Sequence, residues 1–130
     1  MQSLVLDTNI IVSALWNPKG IPAEILRRCL LLELDLIVSQ KIIVEYGSVL
    51  QRDKFRRKFT IEEANNLLLL IEKSAIHRNP KESTLPPFSD ETDRKFYDLA
   101  KAANAYLITG NIKHYPKDNK IISPAEFLVN

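Results

Sequence analysis

Four short aliphatic runs, separated by longer stretches of helical periodicity, constrain this chain more than any other feature. They are SLVL (Ser3 to Leu6), LDLIVS (Leu34 to Ser39), AYLIT (Ala105 to Thr109) and KII (Lys120 to Ile122), with AIH (Ala75 to His77) as a shorter fifth. An alternating run suits a strand with one wet face, whereas a mostly continuous run suits a strand covered on both faces. The expected fold is therefore α/β: a parallel sheet of four to five strands flanked by helices on both faces, in a Rossmann-like three-layer arrangement. A length of 130 residues suffices for one such core, so residues 1–130 are expected to form a single domain.

The helices between the runs have legible starts. IPAEILRRCLLLE follows the turn NPKG at Asn17 to Gly20, and a second helix begins near Ser39 or Gln40 with Ile42, Tyr46, Val49 and Leu50 on one side. TIEE at Thr60 to Glu63 and SPAE at Ser123 to Glu126 are capping boxes, the latter with proline at the first helical position. NPKESTLPPFSD (Asn79 to Asp90) reads as a loop leading into a helix from about Thr92 to Asn104.

Composition excludes several classes. No apolar run approaches the roughly 18 to 20 residues that span a bilayer, and the first residues enter a strand pattern without a basic signal region, so a cytoplasmic protein with no membrane association is expected. Cys29 is the only cysteine and lies inside a helical pattern, which makes it a small core residue rather than half of a disulfide. A net charge of +2 permits an anionic partner without requiring one.

In a parallel sheet, functional groups collect beyond the carboxyl ends of the strands. Asp7 stands at such an end, and Thr109, Gly110 and Asn111 take the matching place after AYLI, where Gly110 is expected to permit a sharp turn. At 100° per residue Glu45 falls about 40° from Val49, at the margin of its apolar stripe. In the later helix Phe96, Leu99, Ala100 and Ala103 form the buried stripe, Asp93 lies about 20° from Ala100, and Asp98 points away into water. Asp90, in the preceding loop, reaches toward the same cleft.

Each acid also has a purely structural reading. Asp7 would cap the helix that follows, Asp93 would complement a helix dipole, and Glu45 would be a surface acid. Together they say more, because three carboxylates meeting in a partly desolvated cleft repel one another unless a cation neutralises them. Carboxylate oxygens suit Mg²⁺ or Mn²⁺, and no histidine or cysteine pair has zinc spacing.

VLDTNIIVSAL (Val5 to Leu15), SQKIIVEYGSVLQRDKF (Ser39 to Phe55) and SDETDRKFYDLAKAANAYLITGN (Ser89 to Asn111) together resemble the PIN domain family, and within it the VapC-like toxin components of toxin–antitoxin systems. The resemblance covers nearly the whole chain and implies a PIN-like sheet. It implies a Mg²⁺- or Mn²⁺-dependent ribonuclease with Asp7, Glu45 and Asp93 as catalytic metal ligands. Asn111 takes the place where many members have a fourth acid, and Asp90 stands close to the third. Thr8, Asn9 and Thr109 would be polar supports. The asparagine is a departure that contributes no charge, so one tightly held ion is expected, with any second arriving with substrate.

RDKFRRKF (Arg52 to Phe59) places Arg52, Lys54, Arg56, Arg57 and Lys58 beside two phenylalanines, a pattern that suits phosphate contact with Phe55 or Phe59 stacking on a base. The same run also suits a basic helix end over two core phenylalanines. Lys113, with His114 and Lys117, forms a second candidate rim. Leu69 and Leu70 project outside the buried stripe of Ala64, Leu67, Leu68, Ile71 and Ala75. A neighbouring helix, a second copy of the chain as a homodimer, or an antitoxin protein would cover them.

Two rival functions remain from the residues alone. Asp7 as a phosphate-attacking nucleophile of the haloacid-dehalogenase type would want an acid two residues on, where Asn9 stands. A catalytically degenerate PIN domain would keep the fold and act as an RNA- or protein-binding module.

Overall fold

The computed structural model describes residues 2–129, and its elements alternate as the aliphatic runs require. Strands β1 (Ser3–Leu6), β2 (Asp35–Val38), β3 (Ile76–His77), β4 (Tyr106–Ile108) and β5 (Ile121–Ile122) are connected by helices α1 (Thr8–Trp16), α2 (Ile21–Leu30), α3 (Gln40–Leu50), α4 (Ile61–Ser74) and α5 (Arg94–Ala103), with α6 (Pro124–Val129) last. All pairings are parallel, in the order β3-β2-β1-β4-β5. Leu4 lies opposite both Leu36 and Tyr106, and Leu6 opposite Ile108.

Successive strand side chains point to opposite faces, so a strand wet on one side would expose every second residue. Leu4, Val5 and Leu6 are all fully buried, which means that both faces of β1 are covered. Helix α5 packs against β1, β2 and β4, while α1, α2, α3 and α4 pack among themselves. Strand order reverses direction between β1 and β4, and a crevice opens outside the carboxyl ends of two strands at such a switch point.

The helix ends follow local chemistry. Ser39 Oγ accepts from the Ile42 N–H at 3.2 Å, and the capping boxes at Thr60/Glu63 and Ser123/Glu126 both close. Helix α2 stops at Leu30, short of its apolar pattern, because Leu32 enters the left-handed region at φ 62. The Leu32 N–H then donates to the Cys29 carbonyl and the Glu33 N–H to that of Arg28, a closure that glycine normally supplies. The later helix is likewise shorter than its pattern: a 3-10 turn, Glu91–Asp93, precedes α5 and leaves Asp93 at the joint.

Three expectations are corrected. Asp98 is buried rather than solvated, because the proline-rich segment after β3 folds back over its side of α5 and Ser83 donates to it from both backbone N–H (3.0 Å) and hydroxyl (2.5 Å). Phe55 and Phe59 are buried and stacked on each other at 5.5 Å, so neither ring is offered to a base. Gly110 does not adopt a positive φ, and a Cβ there would meet only Asn9 at ordinary contact distance, so the turn has no need of glycine. Among the described residues no helix is long and apolar enough to cross a membrane.

Candidate active site

Asp7 leaves the end of β1 with its N–H still paired to the Ile108 carbonyl at 3.0 Å, so the backbone of the sheet aims it into the crevice. Although it occupies the N-cap position of α1, its side chain makes no capping hydrogen bond. One carboxylate oxygen instead accepts from Thr109 Oγ1 at 2.8 Å and from the Tyr115 hydroxyl at 3.0 Å. Burial raises the pKa of Asp7, those two donors and the Thr8 backbone oppose the rise, and the charge of Glu45 adds to it. The capping role is therefore replaced by a buried carboxylate tied to the adjacent strand.

Glu45 is half-buried on α3, at the stripe margin as its helical angle predicts. Thr8 Oγ1 donates to one of its oxygens in a short hydrogen bond, and Lys95 Nζ lies 2.6 Å from the other. Asp93, at the joint before α5, caps nothing with its side chain. Its pKa is raised to about 6, by burial first and then by the charges of Asp7 and Asp90, with Glu45 adding to the effect and His114 opposing it. His114 Nδ1 is 3.6 Å from Asp93. These mutual effects put Asp7, Glu45 and Asp93 in one electrostatic neighbourhood, although they come from distant parts of the chain.

The outer residues divide in role. Asp90 is exposed and accepts from the Thr92 N–H and hydroxyl, which hold it ionised below the usual carboxylate range; it caps the 3-10 turn and adds negative charge at the rim. Asn111 is exposed, and its backbone N–H donates to Thr109 Oγ1 at 3.0 Å, which ties its backbone to the threonine that holds Asp7. Asn9 Oδ1 accepts from the Gly110 N–H at 3.3 Å and ties the two strand-end loops together.

Sequence reasoning missed two participants, Tyr115 and Lys95. Tyr115 is buried in an irregular loop, edge-on to Phe88, where no periodicity marks it. Lys95 follows Asp93 by two residues, and its partner Glu45 lies on another helix.

The acids offer carboxylate oxygens, the type that Mg²⁺ and Mn²⁺ accept, and burial first, then mutual repulsion, raises the pKa of Asp7 and of Asp93, effects that a bound cation would oppose. As placed, however, the side chains do not form a closed shell: among the described residues no group of three His, Cys, Asp or Glu side chains is arranged to hold an ion. Both oxygens of Glu45 are engaged, by Thr8 and by Lys95. In charge and chemistry the residues suit a divalent ion.

The basic run is less uniform than its sequence suggests. Arg56 turns inward, where its Nη2 donates to the carbonyls of Leu50 and Arg52, while its Nε and Nη1 are buried with no partner among the described residues. That corrects its expected role at phosphate: it closes the end of α3. Lys54 lies over Phe55 at 5.2 Å and Lys58 over Trp16 at 5.0 Å, while Arg52, Arg57 and Lys113 are exposed.

A sequence model of the PIN domain matches residues 3–113. The chain belongs to the PIN domain family. An uncharacterised protein of Methanocaldococcus jannaschii is 34% identical, over 83% of this chain and 70% of that protein. Among solved structures, VapBC-1 from nontypeable Haemophilus influenzae contains a chain with TM-score 0.58 and 24% identity, covering 87% of this chain and 90% of its own. VapBC2 from Rickettsia felis, bound to a DNA fragment from its promoter, contains one with TM-score 0.59 and 19% identity, covering 86% and 90%. At those identities the likeness is one of fold, and the PIN-like parallel sheet is the fold they share with this chain.

Proposed function

We propose that this PIN domain is a divalent-metal-dependent endoribonuclease that hydrolyses RNA phosphodiester bonds, and that it serves as the toxin of a type II toxin–antitoxin pair. The observation that carries the reading is geometric: the buried Asp7 carboxylate caps no helix, is held at the strand end by Thr109 and Tyr115, and repels Glu45 and Asp93, which come from other parts of the chain. A protein gains nothing in stability from such repulsion, whereas functional sites often contain it. Asp7, Glu45 and Asp93 would hold Mg²⁺ or Mn²⁺, with the Asn111 carboxamide as a neutral addition and Asp90 at the rim. When bound, the ion supplies a nucleophilic hydroxide near neutral pH and offsets charge on the phosphate. Thr109 and Tyr115 fix the orientation of Asp7, and Thr8 does the same for Glu45. Lys95, released from Glu45, adds positive charge beside the phosphate oxygens. Water adds to phosphorus, the P–O ester bond breaks, and the departing oxygen takes a proton.

The likeness to chains solved as VapBC supports an antitoxin partner. Leu69 and Leu70 on α4 are 55% and 50% exposed and offer an apolar face for that partner or for a second copy. A binding-only PIN domain remains the second reading, favoured by the engagement of both Glu45 oxygens and by the uncharged Asn111.

Calorimetric titration with Mn²⁺, paired with cleavage of a labelled RNA, tests the proposal. Wild type should bind the ion and cut, and the Asp7→Asn variant should do neither. Cleavage that survives Asp7→Asn would refute the assignment, and a wild type that neither binds Mn²⁺ nor cuts would favour the binding module.

A further inference from the structure

A groove of about 660 Å³ runs from Glu45 along α3, between that helix and the 3-10 turn before α5. Lys41, Arg52 and Lys95 line it, with Val44 and Val49 among its other walls. Resting on the ribonuclease reading, we propose that this groove is the path of a single-stranded RNA substrate and that Lys41 and Arg52 grip its phosphates, in place of the basic run from Lys54 to Lys58.

Three observations carry the assignment. Glu45 and its ion-pair partner Lys95 form part of the groove wall, so a strand lying in it brings a phosphate to the Glu45 edge of the site. Its cations are available: Arg52 is exposed and forms no ion pair among the described residues, and Lys41 is held only by Glu82 in a pair with both side chains more than 60% exposed. Exposed pairs of this kind contribute little and exchange readily for phosphate. Of the competing cations, Lys54 and Lys58 lie over aromatic faces and Arg56 is held by helix carbonyls, while Arg57, though exposed, lies outside the groove.

A neighbouring cavity of about 360 Å³ shares Lys41 and Lys95 but is a poorer path. Arg94 there is committed to Glu91, Ser83 and the Pro86 carbonyl, and Asp98 to Ser83. Among the described residues no aromatic side chain lines the groove, so bases find no stacking platform and the grip is through the backbone. A flexible single strand can follow a groove of this kind where a stiff duplex cannot.

The test is fluorescence anisotropy with a labelled single-stranded RNA of mixed sequence, carried out on full-length Asp7→Asn protein in Mg²⁺ across a salt series. Each phosphate contact to a single strand contributes about 0.7 to the slope of log affinity against log salt, equal to about fivefold in affinity at 0.1 M. On that background, Lys41→Gln and Arg52→Gln should each lower the slope by about 0.7, and together weaken binding about 25-fold at 0.1 M. Lys54→Gln with Lys58→Gln should leave the slope unchanged. Losses confined to the Lys54/Lys58 pair, or equal in both pairs, would overturn the groove while leaving the ribonuclease reading in place. Absence of RNA binding by the Asp7→Asn parent, with wild type also unable to cut, would remove both.

Discussion

Replacing Asp93 by asparagine isolates the electrostatic strain of the site in the metal-free protein. An isolated aspartate titrates at 3.8, and here burial and neighbouring charges raise the pKa to about 6. Between those values the folded chain binds more protons than the unfolded one, so stability must fall as pH rises through that window. At about 1.4 kcal/mol per tenfold change in acidity, the ionised folded state would lose about 3 kcal/mol if solvent screened none of it. The Asp93 side chain is 16% exposed and lies near the surface, so about half of that is a fair expectation. The substituted carboxamide would have nearly the same shape and no charge. In EDTA, urea unfolding followed by circular dichroism should therefore find Asp93→Asn more stable than wild type by about 1 to 2 kcal/mol at pH 8, with the difference vanishing near pH 4. Millimolar Mg²⁺ or Mn²⁺ should then stabilise wild type more than the variant, since only the full carboxylate set rewards binding. A variant no more stable than wild type at pH 8 would refute the claim that these acids repel one another.

Other changes probe the supports of the site and the helix ends. Tyr115→Phe removes a buried donor to the Asp7 carboxylate and should lower stability by about 1.5 to 3 kcal/mol at neutral pH, read from the same urea curves, while reducing cleavage. Asp98→Ala leaves Ser83 without its acceptor and should cost about 1 to 3 kcal/mol while making the segment between residues 78 and 90 easier to cut by protease. Leu32→Gly relieves the left-handed backbone of an exposed leucine and should stabilise the chain by about 1 kcal/mol, seen as a higher melting temperature.

The sheet was legible because its inner strands are covered on both faces, which continuous aliphatic runs record directly, whereas the edge strand β3 is exposed and left only the short AIH signal. Helix starts at Ser39, Thr60 and Ser123 were legible because a cap is made by residues three apart. What escaped depends on residues far apart in sequence. Asp98 does point away from the stripe of Phe96 and Leu99, as its angle predicts, yet a loop that no local signal places there covers it. Phe55 and Phe59 fit both an exposed stacking platform and a buried pair, and only the packed neighbours decide between them. At the site, the positions of Asp7, Glu45 and Asp93 followed from strand ends and helical angles. Lys95 did not, because its bond to Glu45 requires knowing that α3 and α5 lie side by side.

The ties to Asp7 carry a consequence for biosynthesis. Thr109 and Tyr115 follow it by 102 and 108 positions, so a nascent polypeptide displays the aspartate long before its two anchoring hydroxyls have been translated. Ribosome-bound fragments that stop short of residue 115 thus lack an oriented Asp7 carboxylate, and this corner of the domain can close only after the loop carrying both hydroxyls has emerged.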